Sequence, residues 1–588
     1  MANPANPEAA QTQDIGPLKY SLGVWEKDVL KQLEEFAAAD VMKKIWRKDS
    51  SVWTGADEGQ WLGWLDIVEQ QLAQVKLFRG VADDVRAGGF TQALLLGMGG
   101  SSLCVEVLRL TFGVRADYPD MHILDSTVPA QVSATLKQLS LPKTLVIVAS
   151  KSGGTTEPNV LCQYFWNEMK QAVGEQVGEH FVAITDPGSS MEETAKRLKF
   201  RTIYYGVPSI GGRFSALSNF GMVPSAVMGL DVTAILAEAA KMVQACGSSH
   251  APKDNPGAVL GSIMGVLSAS GCDKVTIITS PLASSLGAWL EQLLAESTGK
   301  EGKGLIPVAA ENLSEPNFYG KDRLFIYVRL STAPDIRQDA AVDALEASGY
   351  PVVRIEMKDI LGLSAEFFRF EFATAVTGAV LGINAFNQPN VQESKDYTKK
   401  YLTEYQETGK LPENTLLYEE DGIKLYADES NREILEKSVN GKKSLEAYLS
   451  AHLTRLSSGD YFAINAYLER EKSIETKLEE LRTMVMKKHR VATTLGFGPR
   501  FLHSTGQLHK GGPNSGLFVQ VTSDDGQDVE VPGEKFTFGI LKQAQSLGDF
   551  LALSKRHRRL LRVHLPADVE CGFVRLEKCF RSVIDRQI

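Results

Sequence analysis

TQALLLGMGGSSLCVEVLRL, residues 91–110, changes period in its middle. The run ALLL is continuously apolar, as a strand buried on both faces must be. GMGGSS (97–102) supplies a tight turn, and LCVEVLRL resumes at helical spacing. A buried strand, a glycine turn and an amphipathic helix open a parallel βαβ unit. MHILDS, TLVIVAS, FVAIT and RTIYYG follow as short apolar runs between helical stretches, so the alternation continues to about residue 245.

A second cycle starts near Cys272, with KVTIITS, LIPVAA, RLFIYVR and PVVRIEM as strands and helices such as 281–297 and 336–348 between them. Residues 396–440 turn polar and charged, and Asp421-Gly422 in LLYEEDGIKLYA marks a hairpin turn. DYFAINAYL, ATTLGF, SGLFVQVT and RRLLRVHL indicate a third mixed unit. Upstream, apolar residues from Leu18 to about Arg86 recur at helical spacing, with Trp25, Trp46, Trp53, Trp61 and Trp64 among them. They predict a helical preface packed on the first module. Residues 1–17, polar and rich in Pro and Ala, predict disorder. The expected fold is α/β: two doubly wound, mostly parallel-sheet modules (89–245 and 246–395), a disordered start and helical preface (1–88), and a linker with a third C-terminal α/β unit (396–588). No short-period repeat is visible, which excludes a solenoid.

The chain carries 63 basic and 72 acidic residues, a net charge of −9, which argues against a general nucleic-acid binder. A small anion then needs a local site. The N-terminus lacks the basic and apolar runs of a signal peptide. The most apolar long stretch, 367–386, carries Arg369 and Glu371 and reads as a buried helix, not a membrane span. Six cysteines without metal-ligand spacing read as reduced, inert thiols. A cytoplasmic protein with no membrane partner and no structural metal is expected. KRHRRLLR (555–562) reads as a solvated helix end entering a strand.

Three loops rich in Gly, Ser and Thr follow predicted strands: GMGGSS, SKSGGTTEP (150–158) and GGRFSALSNFG (211–221). Small residues admit an anion to the backbone, hydroxyls donate to it, and a helix N-terminus adds unpaired N–H groups. One such loop is ordinarily only a tight turn. SKSGGTTEP exceeds that need, with four hydroxyls and a lysine in seven residues. A small phosphate ester is the ligand these residues suggest, and no GxxxxGK[ST] loop for a nucleoside triphosphate is present. In WLEQLLAESTGK (289–300), Gln292 and Glu296 share one helix face. A half-buried Glu296 has the chemistry of a general base, although the spacing alone favours a solvated residue or a pair with Lys300. GINAFNQPNVQESK (382–395) ends an apolar helix in a polar loop with Gln388 and Lys395.

Taken in order, GMGGSS, SKSGGTTEP, GGRFS, QxxxE and FNQPxVxxxK resemble the glucose-6-phosphate isomerase family, which has two sugar-isomerase domains. The resemblance spans about residues 97–395. The whole chain is similar to the isomerase half of bifunctional transaldolase/glucose-6-phosphate isomerase proteins. The 88 residues before the first module are too few for a transaldolase barrel of roughly 200 or more, so no transaldolase activity is expected. The resemblance implies that Ser150, Ser152 and Thr155 bind the sugar phosphate, with Ser101 nearby and Lys151 and Glu157 beside them. It implies Glu296 as base, Arg213 as stabiliser of an enediolate, Gln292 and Gln388 as positioning groups, and Lys395 as an aid to ring opening. No cofactor is implied; the partner is a small phosphosugar, and a homodimer is expected.

One departure stands out. The family's ring-opening histidine normally lies between the base and the late lysine, and no histidine lies between Glu296 and Lys395. His503 and His509 flank STGQ in FLHSTGQLHKGG, so the third unit is expected to supply the group, across a subunit interface if the site is shared, with His509 ahead of His503. Two other readings stay open: a non-catalytic sugar-phosphate sensor, and an isomerase for another phosphosugar such as mannose 6-phosphate. A sensor needs the SKSGGTT cradle but not Arg213, Glu296 and Lys395 together.

Overall fold

The computed structural model describes residue 15 and residues 18–586; the rest of the polar start, read above as disordered, lies outside them. Three sheets organise the chain. The first joins β2 (Gln92–Gly97), β3 (Asp120–Leu124), β4 (Thr144–Ala149), β5 (Phe181–Thr185) and β6 (Thr202–Tyr205) in the order β3-β2-β4-β5-β6, all parallel. The second contains β7 (Lys274–Thr279), β8 (Ile306–Val308), β9 (Arg323–Leu330) and β10 (Val352–Met357), parallel in the order β10-β9-β7-β8. The third contains β13 (Tyr461–Tyr467), β14 (Ala492–Phe497), β15 (Gly516–Ser523) and β16 (Arg559–Leu565), parallel in the order β16-β15-β13-β14. In each, the first strand in the chain lies between the second and third. All three units therefore share one doubly wound core, with its crevice where the crossovers diverge.

The strands predicted in the first two modules and in the third unit form as read. β11 (Leu416–Glu420) and β12 (Ile423–Tyr426) pair through Asp421 and Gly422, both at positive φ (51° and 78°), and extend the third sheet antiparallel beside β16. That is the backbone a two-residue hairpin requires.

The preface differs from its reading in two respects. Its first element is a strand, β1 (Leu18–Ser21), which pairs antiparallel with β10. It covers an edge that would otherwise leave a row of unpaired backbone groups. The helices that follow pack across both modules, not on the first alone. Trp46 Nε1 donates to Cys246 O (2.9 Å) and Trp53 Nε1 to Ala375 O (2.8 Å). Trp64 is fully buried, stacked on Phe214 of the first module and against Phe368 and Phe372 of the second. At about 25 cal/mol per Å², burying one such ring contributes on the order of 5 kcal/mol.

The apolar stretch near 367–386 is the helix Gly362–Leu381, buried along most of its length. Glycines at 257, 261 and 265 on the helix Pro256–Ala269 let it approach closely: a Cβ on any of them would strike Phe372, Val376 or Val380. No helix among the described residues is long and apolar enough to cross a membrane. The basic run is less solvated than its sequence suggests. Arg558 and Arg562 are both buried; Arg562 donates to Gln520 Oε1 (2.7 Å) and Ser546 O (2.8 Å), because β16 is an interior strand.

Candidate active site

β2 and β4 lie side by side in the first sheet, and the crevice beyond their carboxyl ends is where GMGGSS and SKSGGTTEP begin. A cavity of about 560 Å³ occupies it. The loop 211–213, the helix Leu286–Thr298, the loop 386–390, His503 and the start of the helix Val391–Thr408 close its walls; Lys395, read from sequence as part of a loop, stands on that helix. Of the residues named from sequence, Ser101, Ser150, Lys151, Ser152, Thr155, Arg213, Gln292, Glu296, Gln388, Lys395 and His503 line the cavity; Glu157 and His509 do not.

The glycines are needed for loop-to-loop contact. A Cβ on Gly100 would lie 2.0 Å from Gly212 O. Gly99 has φ 54°, and a Cβ there would lie 2.7 Å from both Gln292 Nε2 and His503 O. Loops from all three units touch at this point only because those side chains are missing.

Two cradle hydroxyls are uncommitted. Ser150 Oγ is buried without a hydrogen-bond partner within the protein, and Thr155 starts the helix Thr156–Val173 without a side-chain capping bond. Lys151, by contrast, is occupied: Nζ donates to Asp186 Oδ2 (2.5 Å) and Val207 O (2.9 Å). Burial pulls its pKa below the usual lysine value, and Asp186 restores only part of that. Lys151 ties the cradle loop to the end of β5.

Glu296 and Arg213 face each other at 3.6 Å, both buried. The guanidinium is fixed on its other sides: Nε donates to Ser297 Oγ (2.7 Å), Nη1 to Gln388 Oε1 (3.0 Å), and Nη2 to Ala385 O (2.8 Å) and Asn387 O (3.2 Å). Burial lowers its pKa and Glu296 counters that, but an arginine keeps its charge. Gln292 Nε2 donates to Glu296 Oε2 (3.0 Å) and to His503 O (2.8 Å), as the i,i+4 spacing allows. Lys300 does not pair with Glu296. Its Nζ donates to Asn384 O (2.7 Å), Asn387 O (2.5 Å) and Asn387 Oδ1 (3.0 Å) and so holds the loop bearing Gln388. Burial and then the Arg213 charge press its pKa well below the lysine range.

The two histidines part company. His503, on the turn Arg500–His503 after β14, lines the cavity, and its Nε2 lies 2.9 Å from Glu157 Oε1. Burial alone would raise the Glu157 carboxyl, but the charge and hydrogen bond of His503 outweigh it and hold the group below its ordinary value. His509 sits one helical segment later, buried among Tyr461, Phe501 and Phe518. Burial and neighbouring Lys510 and Arg558 keep it neutral, well below the usual histidine pKa. His509, expected from sequence ahead of His503, is thus the one the structure places in the core, and His503 the one at the cavity. His503 also reaches the cavity from the same chain, with no second subunit required.

Some cavity residues escaped the sequence reading. Trp61 and Asp186 carried no local signal, since they come from the preface and the end of β5; Asn387 stood inside FNQPxVxxxK without being singled out. Ser297 and Lys300 stood beside the QxxxE motif, in ESTGK, where their support of Arg213 and of the neighbouring loop could have been suspected.

Residues 67–311 match the family model for phosphoglucose isomerase. A glucose-6-phosphate isomerase from Rubrobacter xylanophilus is 30% identical over 368 residues, which are 54% of this chain and 84% of that protein. The chain belongs to the glucose-6-phosphate isomerase family. A probable glucose-6-phosphate isomerase from Natronomonas pharaonis is 31% identical over 342 residues, 51% of this chain and 77% of that one. In fold, the chain resembles a glucose-6-phosphate isomerase from Chlamydia trachomatis, with a TM-score of 0.55 at 18% identity, covering 68% of this chain and 91% of the other. Family membership makes the chain a sugar-phosphate isomerase, and its cavity joins the family motifs of the first two modules to a histidine from the third.

Proposed function

We propose that the protein interconverts glucose 6-phosphate and fructose 6-phosphate through a cis-enediol intermediate, with Glu296 as the base. The observation that carries this reading is the buried Glu296–Arg213 pair, 3.6 Å apart in a cavity that also holds the hydroxyl cradle. Ser101, Ser150, Ser152 and Thr155 take the phosphate, assisted by the N-terminal N–H groups of the helix Thr156–Val173. Binding energy at the phosphate then orients carbons that lie far from it.

His503 and Lys395 serve ring opening: one delivers a proton to the ring oxygen while the anomeric hydroxyl loses one. Glu157 orients His503. Glu296 takes the proton from C2 of the open aldose, the charge spreads onto the enediolate oxygens, a proton passes from O2 to O1, and the same carboxyl returns a proton to C1 to leave the ketose. Arg213 offsets the negative charge as it forms, in a site where its partners already fix it, so little reorganisation is needed. Gln292 and Gln388 set the positions of Glu296 and Arg213.

The test is fructose 6-phosphate conversion by the wild type and by Glu296→Gln. Loss of general-base chemistry predicts a fall in kcat of roughly 10²- to 10⁴-fold with substrate binding retained. Binding without turnover in the wild type would make the protein a sensor; full activity in the mutant would remove Glu296 as base. Mannose 6-phosphate in the same assay separates the hexose alternatives.

A further inference from the structure

The third unit contributes a second buried group to the site, one step behind His503. Gln545, on the helix Phe538–Lys555, is buried, and its Nε2 donates to Glu157 Oε1 at 2.7 Å. That oxygen is also the one facing His503 Nε2. On its other side, Gln545 Oε1 accepts from Thr127 Oγ1 at 2.6 Å, and Thr127 is fully buried in the first module. The order Thr127–Gln545–Glu157–His503 therefore crosses between the first module and the third unit three times.

The amide can sit only one way round in this arrangement. Turned over, it would set its carbonyl oxygen against the Glu157 carboxylate, while its NH2 group now satisfies one. The carboxylate, which can only accept, fixes that choice, and the Thr127 hydroxyl then donates to the carbonyl. The same helix also restrains the far end of the His503 segment, since Lys510 Nζ donates to Asp549 Oδ1 at 2.6 Å with both side chains buried.

We propose that Gln545 is a positioning residue for His503, acting through Glu157, so that the third unit aims the group it supplies. The proposal rests on the reading of His503 as the ring-opening group. Without Gln545, Glu157 keeps a carboxylate in a buried space with one donor fewer, and is free to turn away from the imidazole. The reaction step that suffers is then ring opening, not phosphate binding.

Gln545→Met keeps the length and volume of the side chain and removes the amide. A lost hydrogen bond to a charged group predicts a fall in kcat with fructose 6-phosphate of roughly tenfold to a hundredfold. Binding of a hexitol 6-phosphate, which has no ring to open, should stay within about twofold, because the phosphate cradle is untouched. The His503 imidazole NMR signals should move with the loss of its fixed partner. Thr127→Val, which leaves the amide in place but unaligned, should move turnover and signals in the same direction by less. Wild-type turnover in Gln545→Met, or reduced turnover with unchanged His503 signals, overturns the proposal. If the wild type converts no hexose phosphate, the functional reading fails separately, and the His503 signals alone decide: a shift in Gln545→Met sustains the positioning role, and no shift ends it.

Discussion

Arg500 is one of the points at which the third unit is fastened beside the site, and replacing it with Met tests how that unit is held. Its Nε lies 2.6 Å from Asp125 Oδ2 and its Nη2 2.7 Å from Glu106 Oε2, with all three side chains at most 15% exposed. Removing one member of a buried ion pair costs about 3–5 kcal/mol, because the remaining charge stays desolvated. Here the lower end applies. Glu106 retains Arg470 at 2.8 Å, and Asp125 retains the Ser102 hydroxyl at 3.1 Å. About 3 kcal/mol is expected, a shift of roughly a hundredfold in the equilibrium for opening this junction.

The pH dependence has a definite sign. Burial by itself would raise the Glu106 pKa, but Arg500 and then Arg470 outweigh it and hold the carboxyl well below its ordinary value. Its stabilisation is therefore complete above the unfolded pKa near 4.5 and is lost as pH falls from there through the folded value. Urea denaturation at pH 7 and at stepwise lower pH, with hydrogen exchange read over residues 498–511, measures the effect. The gap between wild type and Arg500→Met should be widest at pH 7 and narrow below pH 4.5. His503 lies three residues away, so turnover should fall with local opening. A gap under about 1 kcal/mol at pH 7, or one that widens on acidification, would refute the reasoning.

Three further outcomes follow from named contacts. Gly100→Ala should reduce kcat by about a hundredfold with a smaller change in overall stability, since the new Cβ collides with Gly212 O beside Arg213 and a displacement near 1 Å is enough; steady-state kinetics with thermal unfolding separates the two. His503→Ala should abolish most turnover from the cyclic sugar, whereas His509→Ala should lower Tm and spare kcat, because His509 is neutral core packing; equal kinetic losses would contradict that division. Glu291→Gln should stabilise the protein at pH 8 by about 1–3 kcal/mol and give no gain at pH 4. Burial, only partly countered by Arg482, pushes the Glu291 carboxyl up to about 7, so its folded form binds the proton more tightly and stability falls as pH rises from 4.5 to 7; urea midpoints at the two pH values check it.

The division of labour between sequence and structure is visible in single residues. Period and punctuation were enough for the parallel strands, though not for β1: ALLL before GMGG, or KVTIIT before SPLA, has few other ways to bury itself. The Asp421-Gly422 turn was equally legible, because positive φ at both positions favours those residue types. The motifs that line the cavity were legible too, since SKSGGTTEP contains more hydroxyls than a turn consumes.

What the sequence by itself determined, then, was the α/β class, the alternation of strands and helices, and most of the polar side chains that line the cavity. Those features are local: each depends on spacing within a few residues, which backbone geometry converts directly into a face or a turn. Only the tertiary structure decided which histidine lines the cavity, that the preface spans both modules, that Lys151 is tied to Asp186, and that Gln545 stands behind Glu157. Residues 157 and 503 are brought together across 346 positions of chain by the docking of one unit on another. No local periodicity encodes such a contact, because it is selected by the packing of whole surfaces.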